Sequence, residues 1–305
     1  MKFTDFKKTQ KSSNDLSKLM KAIEKSSRKD QDDRFWYPEL DKAGNGQAII
    51  RFLPEPAVDG EDGLPFVHYW EHGFKGPTGL WYIEKSLTTL GQKDPVSEYN
   101  STLWNSTDDD SSPARKQARI QKRKLRYVSN IYVISDPKNP QNEGKVFLFR
   151  YGKKVFDKID QLLHPQFEED SPVSVFNMFS GCNFKLRIRT VEGYSNYDSS
   201  VFEAPSQLPG SDDELKTIWE KEYSLKEFID PSSFKTYDQL KERLDEVLNL
   251  KETSKSKSDS RAWEPKIVKA TSAPKSDVTE ETDVTITTTE EEDADLEYFR
   301  KLADA

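Results

Sequence analysis

Cysteine is almost absent from this chain: Cys182 is the only one in 305 residues. That excludes an intrachain disulfide and any multi-cysteine metal site, and it suits a reducing compartment. Histidine is nearly as scarce, three in all, and offers no recognisable catalytic triad. The 13 glycines are scattered, so no Gly-rich loop is present to cradle a phosphate. No apolar run approaches the roughly 20 residues of a membrane span, and the opening MKFTDFKKTQKSSND lacks the apolar run of a secretory leader. The expectation is a cytosolic protein with no membrane partner. Asp108-Asp109-Asp110 lies in a Ser/Thr-rich stretch with no paired acidic strand motif, and reads as a solvated turn rather than a nuclease metal site. These absences point to a binding protein, not an enzyme.

What is present is polar. The chain is 33% charged and 34% hydrophobic, with a mean hydropathy of -0.86. Part of it therefore cannot offset its ordering entropy by burial. The 17 Phe, 12 Tyr and 6 Trp nearly all precede residue 250, which leaves material for a core there. The formal net charge of -8 argues by itself against a polyanionic partner. The distribution of that charge along the chain points the other way. Residues 1–30 are basic, with Leu16, Leu19, Met20 and Ile23 at helical spacing over 14–26. Residues 31–250 carry the aromatics and the strand signals. Residues 251–279, rich in Lys, Ser, Thr and Pro, read as a flexible linker. Residues 280–305 are acidic, interrupted by Leu296, Tyr298, Phe299 and Leu302, in the manner of an interaction tail.

Within 31–250, Asn45-Gly46 predicts a turn before an apolar strand. Further strands are expected at 80–87, 125–135, 145–152 and 183–191. The last alternates Phe184, Leu186 and Ile188 with Lys185, Arg187 and Arg189, one apolar and one cationic face. Helices are expected at 153–163, 212–229 and 236–250. The segment 86–112 is expected to pack through Leu87, Leu90, Tyr99, Leu103 and Trp104.

From Ser111 to Ser135 there is no acid, while Arg115, Lys116, Arg119, Lys122, Arg123, Lys124 and Arg126 all fall inside. A solvated loop is the ordinary fate of a charge run; in an acidic chain an acid-free window this long favours a polyanion, whose binding releases counterions. Single strands also need flat side chains beside the cations. Tyr127 and Tyr132 follow the stripe. Phe147, Phe149, Arg150, Tyr151, Lys153 and Lys154 interleave further on. Tyr194 and Tyr197 stand in a Gly/Ser/Asn-rich turn that would not easily bury them.

At these residues a resemblance enters. The stretches DKAGNGQAIIRFLP (41–54), HGFK (72–75) with WYIE (81–84), KRK…Y…NI (122–131), DPKNPQNEGKVFLFRYGKKVFDKI (136–159) and GYSNYDSSVF (193–202) resemble the gene 32 single-stranded-DNA-binding protein family of T-even bacteriophages. The basic arm, linker and acidic tail match its layout.

The resemblance implies an α+β, mainly β core: an OB-fold with accessory strands and helices, flanked by a basic arm and a disordered acidic tail. It implies cooperative, largely sequence-independent coating of single strands in phage replication, recombination and repair. The arm would serve protomer contacts through Lys7, Lys8 and Thr9, and the tail would recruit replication and recombination proteins such as polymerase and helicase loader. The setting would be the cytoplasm of an infected bacterium. Carried onto this chain, Arg51, Lys122, Arg123, Lys124 and Arg150 would face phosphates. Tyr127, Phe149, Tyr151, Tyr194 and Tyr197 would stack on or border bases, and Trp104 would replace a family tyrosine. Leu125 and Arg126 depart from the family's hydroxyl residues. The family zinc, held by one histidine and three cysteines, is expected to be lost: His72 matches, but Ser86, Asp94 and Ser97 stand where cysteines are expected, and serine is no thiolate. No cofactor is therefore expected. A second reading is an RNA-binding or replication scaffold protein acting mainly through its acidic tail; a protein scaffold would show neither steep salt dependence nor discrimination against duplex DNA.

Overall fold

The computed structural model describes residues 32–250 except Glu168 and Glu192. The expected arm with its helix, the linker and the acidic tail, and with them Lys7, Lys8 and Thr9, lie outside the described residues.

Among the described residues, eight antiparallel strands form one sheet curled into a half-barrel. They are β1 (Gly46–Phe52), β2 (Val67–Lys75), β3 (Trp81–Lys85), β4 (Lys124–Ser135), β5 (Val146–Tyr151), β6 (Asn183–Val191), β7 (Tyr194–Asn196) and β8 (Val201–Phe202). The helices are α1 (Pro95–Asn105), α2 (Pro113–Gln121), α3 (Lys153–Leu163), α4 (Asp212–Glu220) and α5 (Tyr237–Leu248). The twelve-residue β4 is the spine. β5 runs along one edge, pairing Tyr127 with Tyr151 and Tyr132 with Val146. The other edge is shared in tandem, β2 pairing Val67–Glu71 with Lys124–Val128 and β1 pairing beyond it up to Ser135. β6 continues from β1, and the β6–β7 hairpin turns through Gly193 at φ +83°, a left-handed conformation that favours glycine.

The half-barrel encloses an aromatic core. Phe52 is wholly buried, with the rings of Phe149, Tyr151, Phe176, Phe184 and Phe202 at centroid distances of 5.6–6.4 Å. α3 covers this core with Val155 and Ile159, as its period predicts. Cys182 is buried here as a small apolar group. A second core gathers Phe74 and Tyr82 of the β2–β3 hairpin, Leu87, Val96 of α1, and Leu240, Leu244, Val247 and Leu248 of α5. It supports the segment that carries α1 and α2.

β6 alternates as its sequence predicts, with Phe184, Leu186 and Ile188 inward. The turn before β1 falls earlier than expected: Asp41 N–H donates to Asn45 O, Gly44 takes φ +79°, and Gly46 already starts the strand. The helix expected over 212–229 stops at Glu220. Asp59 takes the Ser224 hydroxyl and the Leu225 N–H, so the chain turns away to meet it. α1 and α2 were not expected. Each opens on a capping side chain followed by proline, Asp94-Pro95 and Ser112-Pro113, the combination that favours a helix start.

Candidate nucleic-acid interface

The acid-free stripe folds as α2 running into β4. Ser112 caps α2 by accepting from Arg115 N–H. Packing against α1 brings Arg115 and Arg119, one turn apart on α2, over Trp104: their guanidinium carbons lie 4.4 and 5.3 Å from its ring centroid. Just past α2, Arg123 covers the Trp70 ring of β2 at 4.3 Å. Three guanidinium groups thus stack on two indoles within nine residues of chain. Such a stack holds the charge in place by cation–π attraction while the N–H edge remains suited to a phosphate oxygen. Asp110 sits at this edge, 2.6 Å from Arg115 and 3.3 Å from Arg119. Along β2, His68 lies on the same side as Trp70, exposed, with its ring 5.9 Å from Tyr127.

Strand alternation divides the rest of the stripe. Leu125 pairs with Trp70 and shares its face, so Lys124 and Arg126 point the other way. There the buried Glu71 accepts from Arg126 Nε at 2.6 Å and lies 3.4 Å from Arg150. Burial opposes the charge on Arg150, but Glu71 and Tyr69 outweigh it and raise its pKa. This second cationic group is partly neutralised by protein.

The family described as gp32 DNA binding protein like matches residues 44–248. The chain belongs to that family. The single-stranded DNA-binding proteins of Enterobacteria phages T2 and T4 are each 40% identical to it over 220 residues, 70% of this chain and 69% of theirs. That of Enterobacteria phage RB70 is 43% identical over 96 residues, 30% of this chain and 73% of the relative. The family is one of non-enzymatic DNA-binding proteins.

Set in this gp32-like fold, the residues expected to contact DNA do not share one surface. Arg51 is wholly buried, donating to Asn183 Oδ1 and to the carbonyls of Asn177 and Ser206. It ties β1 to the segments flanking β6 and offers no donor to a phosphate. Phe149 and Tyr151 are core residues, at 4% exposure each; the Tyr151 hydroxyl bonds Ser129 instead of solvent. Tyr127 is stacked against Phe156 at 4.0 Å, and burial pushes its hydroxyl up to about 12. These three rings are buried because odd positions of β4 and β5 point into the half-barrel. Tyr197 is half-buried against the same core. Tyr194 stands 79% exposed on β7, as its polar turn predicts. Lys124 and Arg150 lie across the sheet from Arg123, whereas Lys122, Arg123 and Trp104 belong to the α1–α2 end. Sequence reasoning did not include Trp70 among the contact residues. Its signal was an aromatic two residues before the HGFK match, on a strand whose register could not be read without its partner.

His72, Ser86 and Ser97, which the resemblance groups with Asp94 as metal positions, each contact Asp94. His72 Nε2 lies 3.1 Å from Asp94 Oδ1, and both side chains are buried. Asp94 caps α1, accepting from Val96 and Ser97 N–H through Oδ1, and from Leu87 N–H through Oδ2. Burial alone would raise its pKa. The hydrogen bond and charge of His72, the Ser97 N–H and the Ser86 hydroxyl outweigh that and hold it at about 2. This donor set does not fit zinc: two hydroxyls replace thiolates, and the carboxylate lone pairs are already taken.

Proposed function

We propose that this protein binds single-stranded DNA with little sequence preference across the Trp104–Arg115–Arg119 and Trp70–Arg123 stacks. Bases would lie against the indoles and His68, and the guanidinium edges would meet phosphates. The stacked cations on the α2–β4 stripe carry this reading, together with the single-stranded DNA binding named for relatives 40% identical over 220 residues. The curled sheet is read as an OB-type core. Lys122 extends the cationic edge, and Tyr194 is a more distant contact on the β6–β7 hairpin.

The finer assignments follow the family layout. The protein coats strands cooperatively during phage replication, recombination and repair in the cytoplasm of the infected bacterium. The basic arm, through Lys7, Lys8 and Thr9, contacts the neighbouring copy, and the acidic tail engages replication proteins such as polymerase and helicase loader. Fluorescence titration with poly(dT), poly(rU) and duplex DNA at two salt concentrations tests the binding. Tight poly(dT) binding that weakens steeply with salt, with duplex DNA spared, is expected; equal affinity for duplex, or salt independence, would remove the reading. Deleting residues 1–20 should leave short-oligonucleotide binding intact and abolish cooperative coating of long strands.

A further inference from the structure

Where the resemblance would put a metal ligand, the His72 ring meets a carboxylate. Its Nδ1 lies 2.8 Å from the Gln121 carbonyl oxygen, which cannot donate, so Nδ1 carries a proton. Its Nε2 lies 3.1 Å from Asp94 Oδ1, whose carboxylate is held ionised. Both ring nitrogens thus face oxygen atoms of the protein, and neither faces a thiolate. Its position is nevertheless structural: His72 comes from β2, Gln121 from the end of α2, and Asp94 starts α1. Ser86, at the close of the β3 connection, adds its hydroxyl to Asp94. Four segments of the smaller core thus meet on one imidazole–carboxylate pair. The surroundings are polar too. Tyr82 Oη, Ser97 Oγ, Gln121 Oε1 and the Asn100 amide are buried without a protein partner among the described residues. Groups of this kind suit hydrogen-bonded water better than a sulfur-rich metal shell.

We propose that His72 and Asp94, with Ser86 and Ser97, form a metal-free clasp that does for the β2–β3, α1 and α2 segment what zinc does in the family. A buried imidazole and carboxylate that are each also hydrogen-bonded to backbone can hold elements in register, and removing one partner leaves the other buried without its match. The clasp ties α2, and with it Arg115, Arg119 and the chain leading to Arg123, to β2, which carries Trp70. It is the mechanical base of the stacked face.

Two measurements on the full chain decide the matter. The first is metal analysis of the purified protein, with thermal unfolding in the absence and presence of excess chelator. Less than a tenth of an equivalent of zinc and an unchanged midpoint are expected. Stoichiometric zinc, or a midpoint lowered by chelator, would overturn the proposal. The second is a double-mutant cycle of His72→Gln and Asp94→Ser, the serine retaining the α1 cap. The two changes should be coupled, the double variant unfolding at least tenfold less readily than independent effects would give. Additive effects would overturn the clasp. Should a variant not fold, the chelator measurement on the natural chain still decides. As a geometric check, Ser86→Cys, Asp94→Cys and Ser97→Cys together should rebuild a four-ligand site with His72 and bind one cobalt(II) with thiolate absorption. A triple variant that folds and binds no cobalt would show that the four positions do not converge.

Discussion

Replacing Arg119 and Arg123 together by alanine tests the proposed interface most directly. Both guanidinium groups stack on indoles, 5.3 Å from Trp104 and 4.3 Å from Trp70, and each is taken to neutralise one phosphate. On single strands each contact contributes about 0.7 to the slope of log K against log salt, so losing two should flatten the slope by about 1.4. Between 50 and 200 mM salt, a fourfold change, the affinity gap between natural and variant protein should therefore shrink about sevenfold. The loss should be the same for poly(dT) and for mixed sequence, because phosphate contacts carry no sequence information. Trp fluorescence titrations at four salt concentrations measure this, and thermal unfolding checks that the fold is intact. A variant that binds more weakly with an unchanged slope would refute the reasoning: the arginines would then serve to pack Trp70 and Trp104 and not to meet phosphates.

Three further outcomes are expected. Asp110→Asn removes a carboxylate that competes with phosphate for Arg115 and Arg119, so it should tighten DNA binding at low salt and have little effect at high salt; weaker binding at low salt would count against this. Glu222 is buried beside Glu55 and raised from 4.5 to about 9, first by burial and then by that neighbour. Folding then takes up a proton between about pH 4.5 and 9, so stability should fall as pH rises through that window, by on the order of 3 kcal/mol up to pH 7. Glu222→Gln should abolish that share in denaturant titrations at pH 5, 7 and 8.5; a parallel pH profile would disprove it. Phe52→Ala, at the centre of the aromatic core, should cost about 3–5 kcal/mol in chemical denaturation, and a loss below 1 kcal/mol would show that the core collapses around the gap.

Much of the architecture was legible in the chain. The alternation at 183–191 and the apolar stripes at 153–163 and 237–248 are local patterns, and local periods survive into the fold. α1 and α2 escaped because their faces are polar: Trp104, Arg115 and Arg119 form an amphiphilic contact that no hydrophobic period reveals. The site was legible at coarser grain. The acid-free stripe marks the proposed interface, but proximity in sequence could not say which cations share a face.

The ordered motifs carried the resemblance to the gp32 family, and the residue types marked an aromatic core and an acid-free cationic segment, because these properties belong to residue types and their order. Which side each residue faces depends on strands from elsewhere in the chain. β2 turned Arg123 toward Trp70 and Arg126 toward Glu71. The segments around β6 closed over Arg51, and β5 drew Tyr127 into the half-barrel. The approach of Asp94 to His72 joins residues from a strand and a helix start across the smaller core. A side chain's exposure is set by what packs on it, and that partner is written in another part of the sequence.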